Sequence, residues 1–162
     1  MKKANFCVIL AGCAIIQVTL LNYLKVFTVG PDLLLICTVI ASLVFPLKWA
    51  LFFCLSAGVF KDAFGAGVFG INTALFPLWG FLIIKLTRKI AIDNNIMRVL
   101  LIAVVTLVHN LLTGIIFMYY GTNLPFGILF RILLLSPLLA AIFSLPMLKF
   151  FKKLPQVHYE QD

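Results

Sequence analysis

Apolar residues fill this chain in long blocks, separated by short stretches that hold most of its Lys and Arg residues. Six blocks can be marked, at about 5–24, 32–45, 49–63, 71–84, 99–119 and 125–148. A helix that crosses a bilayer needs roughly 20 mostly apolar residues, or about 17 at the short end. Six such helices and their turns consume nearly all of the 162 residues. The pattern therefore predicts an all-α membrane protein with six transmembrane helices. It forms one integral domain over residues 1–162, ending in a charged tail over 149–162. Blocks two, three and four are short for full spans, and short helices either thin the bilayer or pack inside the protein. A count of five spans merges or buries one of them. The first block opens on Lys2 and Lys3 like a signal peptide, and Leu10-Ala11-Gly12-Cys13 resembles a lipoprotein cleavage box. Its apolar run continues past Cys13 to Leu24, however, which is the length of a spanning helix.

Charge decides between the counts. With the N-terminus inside and six spans, the inner side carries Lys2, Lys3, Lys48, Lys85, Arg88, Lys89, Arg98, Lys149, Lys152 and Lys153. Only Lys25, Lys61 and Arg131 of the 13 basic residues then lie elsewhere. This positive-inside bias requires both termini on the cytoplasmic side, hence an even number of spans. The net charge of +8 reads as topology signal and anionic-lipid contact. No basic patch interleaved with aromatics on a soluble face is present for nucleic acid.

Few polar groups interrupt the blocks, and each is costly in lipid unless it is paired or wet. Asp32 opens block two, Asp62 closes block three beside Lys61, and Arg131 lies about two turns into block six. The topology puts all three in the outer half, where they are expected to form a buried cluster. Such a cluster is either a pocket for a substrate or partner, or a structural ion pair that fixes helix register. Asn72 near the start of block four, Gln17 and Asn22 in block one, and His109 and Asn110 in block five are further intramembrane polar positions. His109 and Asn110 fit helix–helix hydrogen bonding better than a proton relay, which needs more titratable partners at their depth. Glycines 65, 67 and 70 lack the preceding strand and the Lys-Ser/Thr of a phosphate loop. Together with Gly58 they suit a tight turn and close helix approach.

With 64% apolar and 11% charged residues, the chain cannot cover a soluble surface of its size. Cys7, Cys13, Cys37 and Cys54 all lie within apolar blocks, with no CxxC or Cys/His spacing for a metal. They read as small buried hydrophobes. No nucleophile–base pair, nucleotide motif or cofactor motif is present, so enzymatic activity is not expected.

One set of motifs resembles a known family. Pro31-Asp32-Leu33 opens block two, Ala57-Gly58-Val59-Phe60-Lys61-Asp62-Ala63-Phe64-Gly65 closes block three, and Gly70-Ile71-Asn72-Thr73-Ala74-Leu75 opens block four. Over residues 31–80 this resembles the rod-shape-determining protein MreD family, with Phe60 at the usual leucine place and Lys61 directly before the acid. The resemblance makes Asp32, Asp62, Gly65, Gly70 and Asn72 the family-type positions. It implies a non-catalytic subunit of the bacterial cell-elongation machinery in the inner membrane. Its implied partners are MreC, the cytoskeletal protein MreB (indirectly), and the glycosyltransferase and transpeptidase of lateral peptidoglycan synthesis. In that setting an outer pocket shaped by Asp32, Asp62 and Arg131 is expected to receive a partner helix or periplasmic segment.

The family is also similar in fold to substrate-binding subunits of energy-coupling-factor vitamin importers, which gives the alternative reading. Ala4, Ala11-Gly12 and Ala14 faintly echo the small-residue coupling motif of such importers. An ion or proton channel, a third reading, requires more intramembrane polar residues than these.

Overall fold

The computed structural model of the chain describes residues 3–19, 29–65, 69–89, 94–120 and 125–151, except for the side chains of residues 126, 150 and 151. These residues form α1 (Lys3–Thr19), α2 (Leu33–Val44), α3 (Leu47–Phe64), α4 (Ile71–Thr87), α5 (Asn95–Tyr119) and α6 (Phe126–Phe151). Local chemistry sets the helix ends. The Asp32 side chain caps α2 by accepting the Leu35 N–H at 3.1 Å. Pro46 forces Phe45 into an extended conformation, which stops α2, and then serves as the N-cap of α3. Gly70, at φ +103°, supplies the left-handed turn into α4, a conformation that a Cβ resists. Asn94 caps α5 through the Ile96 N–H at 3.3 Å.

Several block boundaries move. α4 continues to Thr87 and α5 begins at Asn95, so the polar stretch 85–98 between blocks four and five is helical at both ends. Lys85 lies in the last turn of α4, where a cation suits the carbonyl end. α6 likewise extends to Phe151 and takes up Lys149. Residues 20–24 of block one, Gly67, and the tail beyond 151 lie outside the described residues.

α2 is the centre of the bundle. Every residue from Leu33 to Ser42 is buried, and α2 packs against each of the other five helices. An all-round apolar helix has no lipid-facing side to spare. At about 1.5 Å per residue it is roughly 18 Å long, short of the roughly 30 Å hydrocarbon core.

Contacts at both ends of α1, α2 and α3 fix their directions. At one end, the Phe6, Phe45 and Phe53 rings cluster at 4.7–5.1 Å. At the other, Gln17, Asp32 and Lys61 meet. The three helices therefore run up, down and up. α3 and α4 form an antiparallel pair of close backbone approach. A Cβ on Gly58 would stand 2.6 Å from the Asn72 carbonyl oxygen, and one on Gly80 would stand 2.7 Å from Cys54 Sγ.

α5 and α6 form a second pair and carry the outer apolar faces. Leu100, Val104, Leu107, Leu111, Ile115 and Met118 make a helical stripe on α5 that is exposed, as is Phe130-Leu134-Leu138-Ile142-Leu145 on α6. Residues Asn95–Tyr119 and Gly127–Lys149 are long and apolar enough to cross a membrane. Exposed apolar stripes on such helices are stable against lipid and not against water, and they mark the all-helical fold as that of a membrane protein.

Candidate functional site

The polar residues gather at the end of the bundle away from the phenylalanine cluster, in two adjoining networks. The first joins side chains of α1, α3, α4 and α5 to Asp32, the N-cap of α2. Asp32, 8% exposed, forms an ion pair with Lys61 of α3. Its other oxygen accepts from Gln17 Nε2 of α1 at 3.2 Å and from the Leu35 N–H. Gln17 Oε1 in turn accepts the Leu34 N–H at 3.0 Å, so one side chain bridges α1 to the first turn of α2. Lys61 also lies 3.3 Å from Nε2 of His109 on α5, and Trp79 Nε1 of α4 lies 3.3 Å from His109 Nδ1. The Phe76 ring covers one side of this pair, 5.1 Å from Lys61 Nζ and 5.5 Å from the His109 ring. Buried charges persist where each is paired and hydrogen-bonded, and these are.

The second network is centred on Asp62. Its carboxylate accepts from the N–H groups of Gly70, Asn72 and Thr73 at 3.0, 3.2 and 2.7 Å. It also accepts from Asn72 Nδ2 at 2.7 Å and Thr73 Oγ1 at 2.6 Å. The first turn of a helix presents unpaired N–H groups and a positive dipole end, so a carboxylate from α3 satisfies α4 there. Lys61 and Asp62 are neighbours on α3, and helical geometry turns one toward α2 and α5 and the other toward α4.

The expected cluster of Asp32, Asp62 and Arg131 is corrected by this geometry. Lys61 is the cation of Asp32, Asp62 is satisfied by the start of α4, and Arg131 is exposed on α6 and paired with neither. The reason is the rotation of α6: Leu129, Ile132 and Leu133 are partly buried while Phe130, Arg131 and Leu134 are exposed, so Arg131 lies on the outward face. Asn72 lies in the Asp62 network, with its Oδ1 buried and unpartnered among the described residues. Gln17 and His109 join the Asp32 network. Asn110 does not, and its Nδ2 is buried without a partner among the described residues. Gly58 lies at the α3–α4 approach, Gly70 at the left-handed turn, and Gly65 at the end of α3 in an ordinary extended conformation.

Lys61, Thr73 and Trp79 are site residues that reading by residue type did not single out. For Lys61 the signal was present: a second charge beside Asp62, on a helix where one acid already needed a partner. No sequence signal places Trp79 against His109. Beside the Asp62 network, Phe69, Ile71, Ile115, Tyr119 and Tyr120 line an open apolar groove between the start of α4 and the end of α5. No group of three or more His, Cys, Asp or Glu that could hold a metal occurs among the described residues.

The family model of the rod shape-determining protein MreD matches residues 4–154. The chain belongs to the MreD family. The match runs through all six helices and both networks, and it carries a role in rod-shape determination. Neither the comparison with curated proteins nor that with solved structures gives a match. MreD is a shape-determining and not an enzymatic family. The donors and acceptors of both networks are spent largely on one another and on helix ends. They do what structural groups do: fix which helix faces which, and at what depth.

Proposed function

We propose that this MreD-family chain is a multi-pass subunit of the cell-elongation complex in the bacterial inner membrane. It crosses the membrane six times with both termini in the cytoplasm, and it acts as an adaptor that joins MreC to the glycosyltransferase and transpeptidase of lateral peptidoglycan synthesis. MreB is reached through those partners. The observation that carries the reading is the family match over residues 4–154. It is supported by a bundle whose polar groups lock helices together and whose apolar faces are left outward. A rigid frame of this kind offers partners fixed surfaces. The groove lined by Phe69, Tyr119 and Tyr120, beside Asp62, is the proposed seat for a periplasmic or transmembrane partner segment.

The test is gentle purification of the tagged chain from native membranes with identification of what accompanies it. Recovery of MreC and the wall synthases is expected, and depletion of the chain is expected to round the cells. Recovery of paired ATPases with a transmembrane coupling subunit would instead assign it to vitamin import.

A further inference from the structure

The imidazole of His109 faces two donors and can satisfy one. Trp79 Nε1–H only donates, and it stands 3.3 Å from Nδ1. Lys61, an ammonium in its ion pair with Asp32, only donates as well, and it stands 3.3 Å from Nε2. A neutral imidazole has one lone pair and one N–H, so accepting at one nitrogen turns an N–H on the donor at the other. An imidazolium has no lone pair and opposes both. If Lys61 gave up its proton to accept from Nε2–H, the buried Asp32 carboxylate would lose its counter-charge, the most costly of these arrangements.

Among the described residues, Lys61 and Trp79 are the hydrogen-bond partners of the ring. From α1 comes Gln17, spent on Asp32 and the Leu34 N–H. From α2 comes Asp32, shared by Lys61, Gln17 and the Leu35 N–H. α3 supplies Lys61 and Asp62, the latter taken by the first turn of α4. α4 supplies Trp79 and the apolar Phe76 ring, and Arg131 of α6 is exposed.

We propose that His109 is a two-state tautomer switch between the Asp32–Lys61 pair and Trp79. While the pair is intact, the Nδ1–H tautomer accepts from Lys61 at Nε2 and releases the indole. When the pair is lost, the Nε2–H tautomer accepts the indole at Nδ1 and ties α4 to α5. The first state wins at rest because a hydrogen bond from an ammonium is roughly twice as strong as one from a neutral indole. Trp79 is only half-buried, and α4 and α5 meet over a short stretch in which the indole lies beside the Phe76–His109 ring contact. The switch does not rest on the adaptor reading.

The test uses the full chain in lipid nanodiscs, labelled with 15N-histidine, with His158→Asn so that His109 is the sole imidazole and Trp49→Phe so that Trp79 is the sole indole. The expected ring is the Nδ1–H tautomer with a mobile indole of low fluorescence anisotropy. Adding Asp32→Asn and Lys61→Met, which removes both charges together, is expected to shift the ring to Nε2–H and raise the Trp79 anisotropy. Adding Trp79→Phe instead, with the charges kept, is expected to leave Nδ1–H in place. An Nε2–H ring in the labelled chain with its charges intact overturns the proposal without any further variant. So does a ring that keeps one tautomer when both charges are gone, or an indole that does not respond.

Discussion

At the scale of single residues, the two aspartates differ in what their loss exposes. Removing the Asp62 carboxylate leaves the first-turn N–H groups of α4 and the Thr73 hydroxyl without their acceptor. Asp62→Ala is therefore expected to destabilise the fold by about 2–4 kcal/mol, since each buried unsatisfied group costs about 1–3. Chemical or thermal unfolding in detergent measures this, and a loss below about 1 kcal/mol contradicts the capping role. Lys61→Met leaves a charge behind: the buried Asp32 loses its partner, at a cost of about 3–5 kcal/mol. Asp32→Asn with Lys61→Met is expected to recover most of that, and a double variant no more stable than Lys61→Met contradicts the pairing. Arg131→Ala, on the exposed part of α6, is expected to stay within about 0.5 kcal/mol of the parent. These residues also show how far the sequence reaches. That Asp32 and Asp62 need partners follows from their place in apolar blocks. Which partners they have follows from helix rotation, which one chain's residue types do not encode. Lys61 stands beside Asp62 in the sequence, and because adjacency on a helix points two side chains apart, the neighbour in sequence is not the partner in space.

At the scale of helices, the apolar blocks foretold all six elements, because a run of apolar residues bounded by Gly, Pro and Asn leaves a membrane chain few alternatives to a helix. Their ends were less readable. The continuation of α4 to Thr87 and the start of α5 at Asn95 depend on capping and on basic residues favouring a carbonyl end, not on hydropathy. The shortness of α2 becomes intelligible only from packing: a helix enclosed by five others takes its length from its neighbours, not from the bilayer. The α3–α4 pair offers a direct contrast between two glycines. At Gly58 an added Cβ meets backbone, which cannot yield unless the helices part; at Gly80 it meets the Cys54 thiol, a side chain. Gly58→Ala is expected to cost about 1–3 kcal/mol with no single-residue rescue. Gly80→Ala is expected to cost a similar amount and to be largely rescued by Cys54→Ala, which makes the room. Unfolding midpoints of the two single variants and the Gly80→Ala/Cys54→Ala double variant test this. Equal stability of the Gly80→Ala single and double variants contradicts the assigned contact.

At the scale of the whole molecule, charge and packing bear on topology separately. The charge pattern places Lys48, Arg88 and Arg98 on one side of the membrane. Packing orders α1, α2 and α3 as up, down and up, since phenylalanines join their ends on one side and Gln17, Asp32 and Lys61 join them on the other. The α3–α4 pair returns the chain to the phenylalanine side. Lys3, whose ammonium lies 3.8 Å over the Trp49 ring, belongs to that same side, where a cation and an indole suit the headgroup region. Charge and packing both agree with the proposed topology, in which the phenylalanine end, with Lys3 and Lys48, faces the cytoplasm and the Asp32 and Asp62 networks face the outside. The end-to-end contacts give the first four helices an alternating order, which suits the proposed count of six spans. In a chain freed of its native cysteines, a single cysteine at Asn94 is expected to react with a membrane-impermeant maleimide only after the cytoplasmic face is opened. One at Thr122 is expected to react in intact spheroplasts. Labelling of both sites from the same side overturns the six-span arrangement, and labelling with the sides exchanged overturns its orientation while leaving the helix order intact.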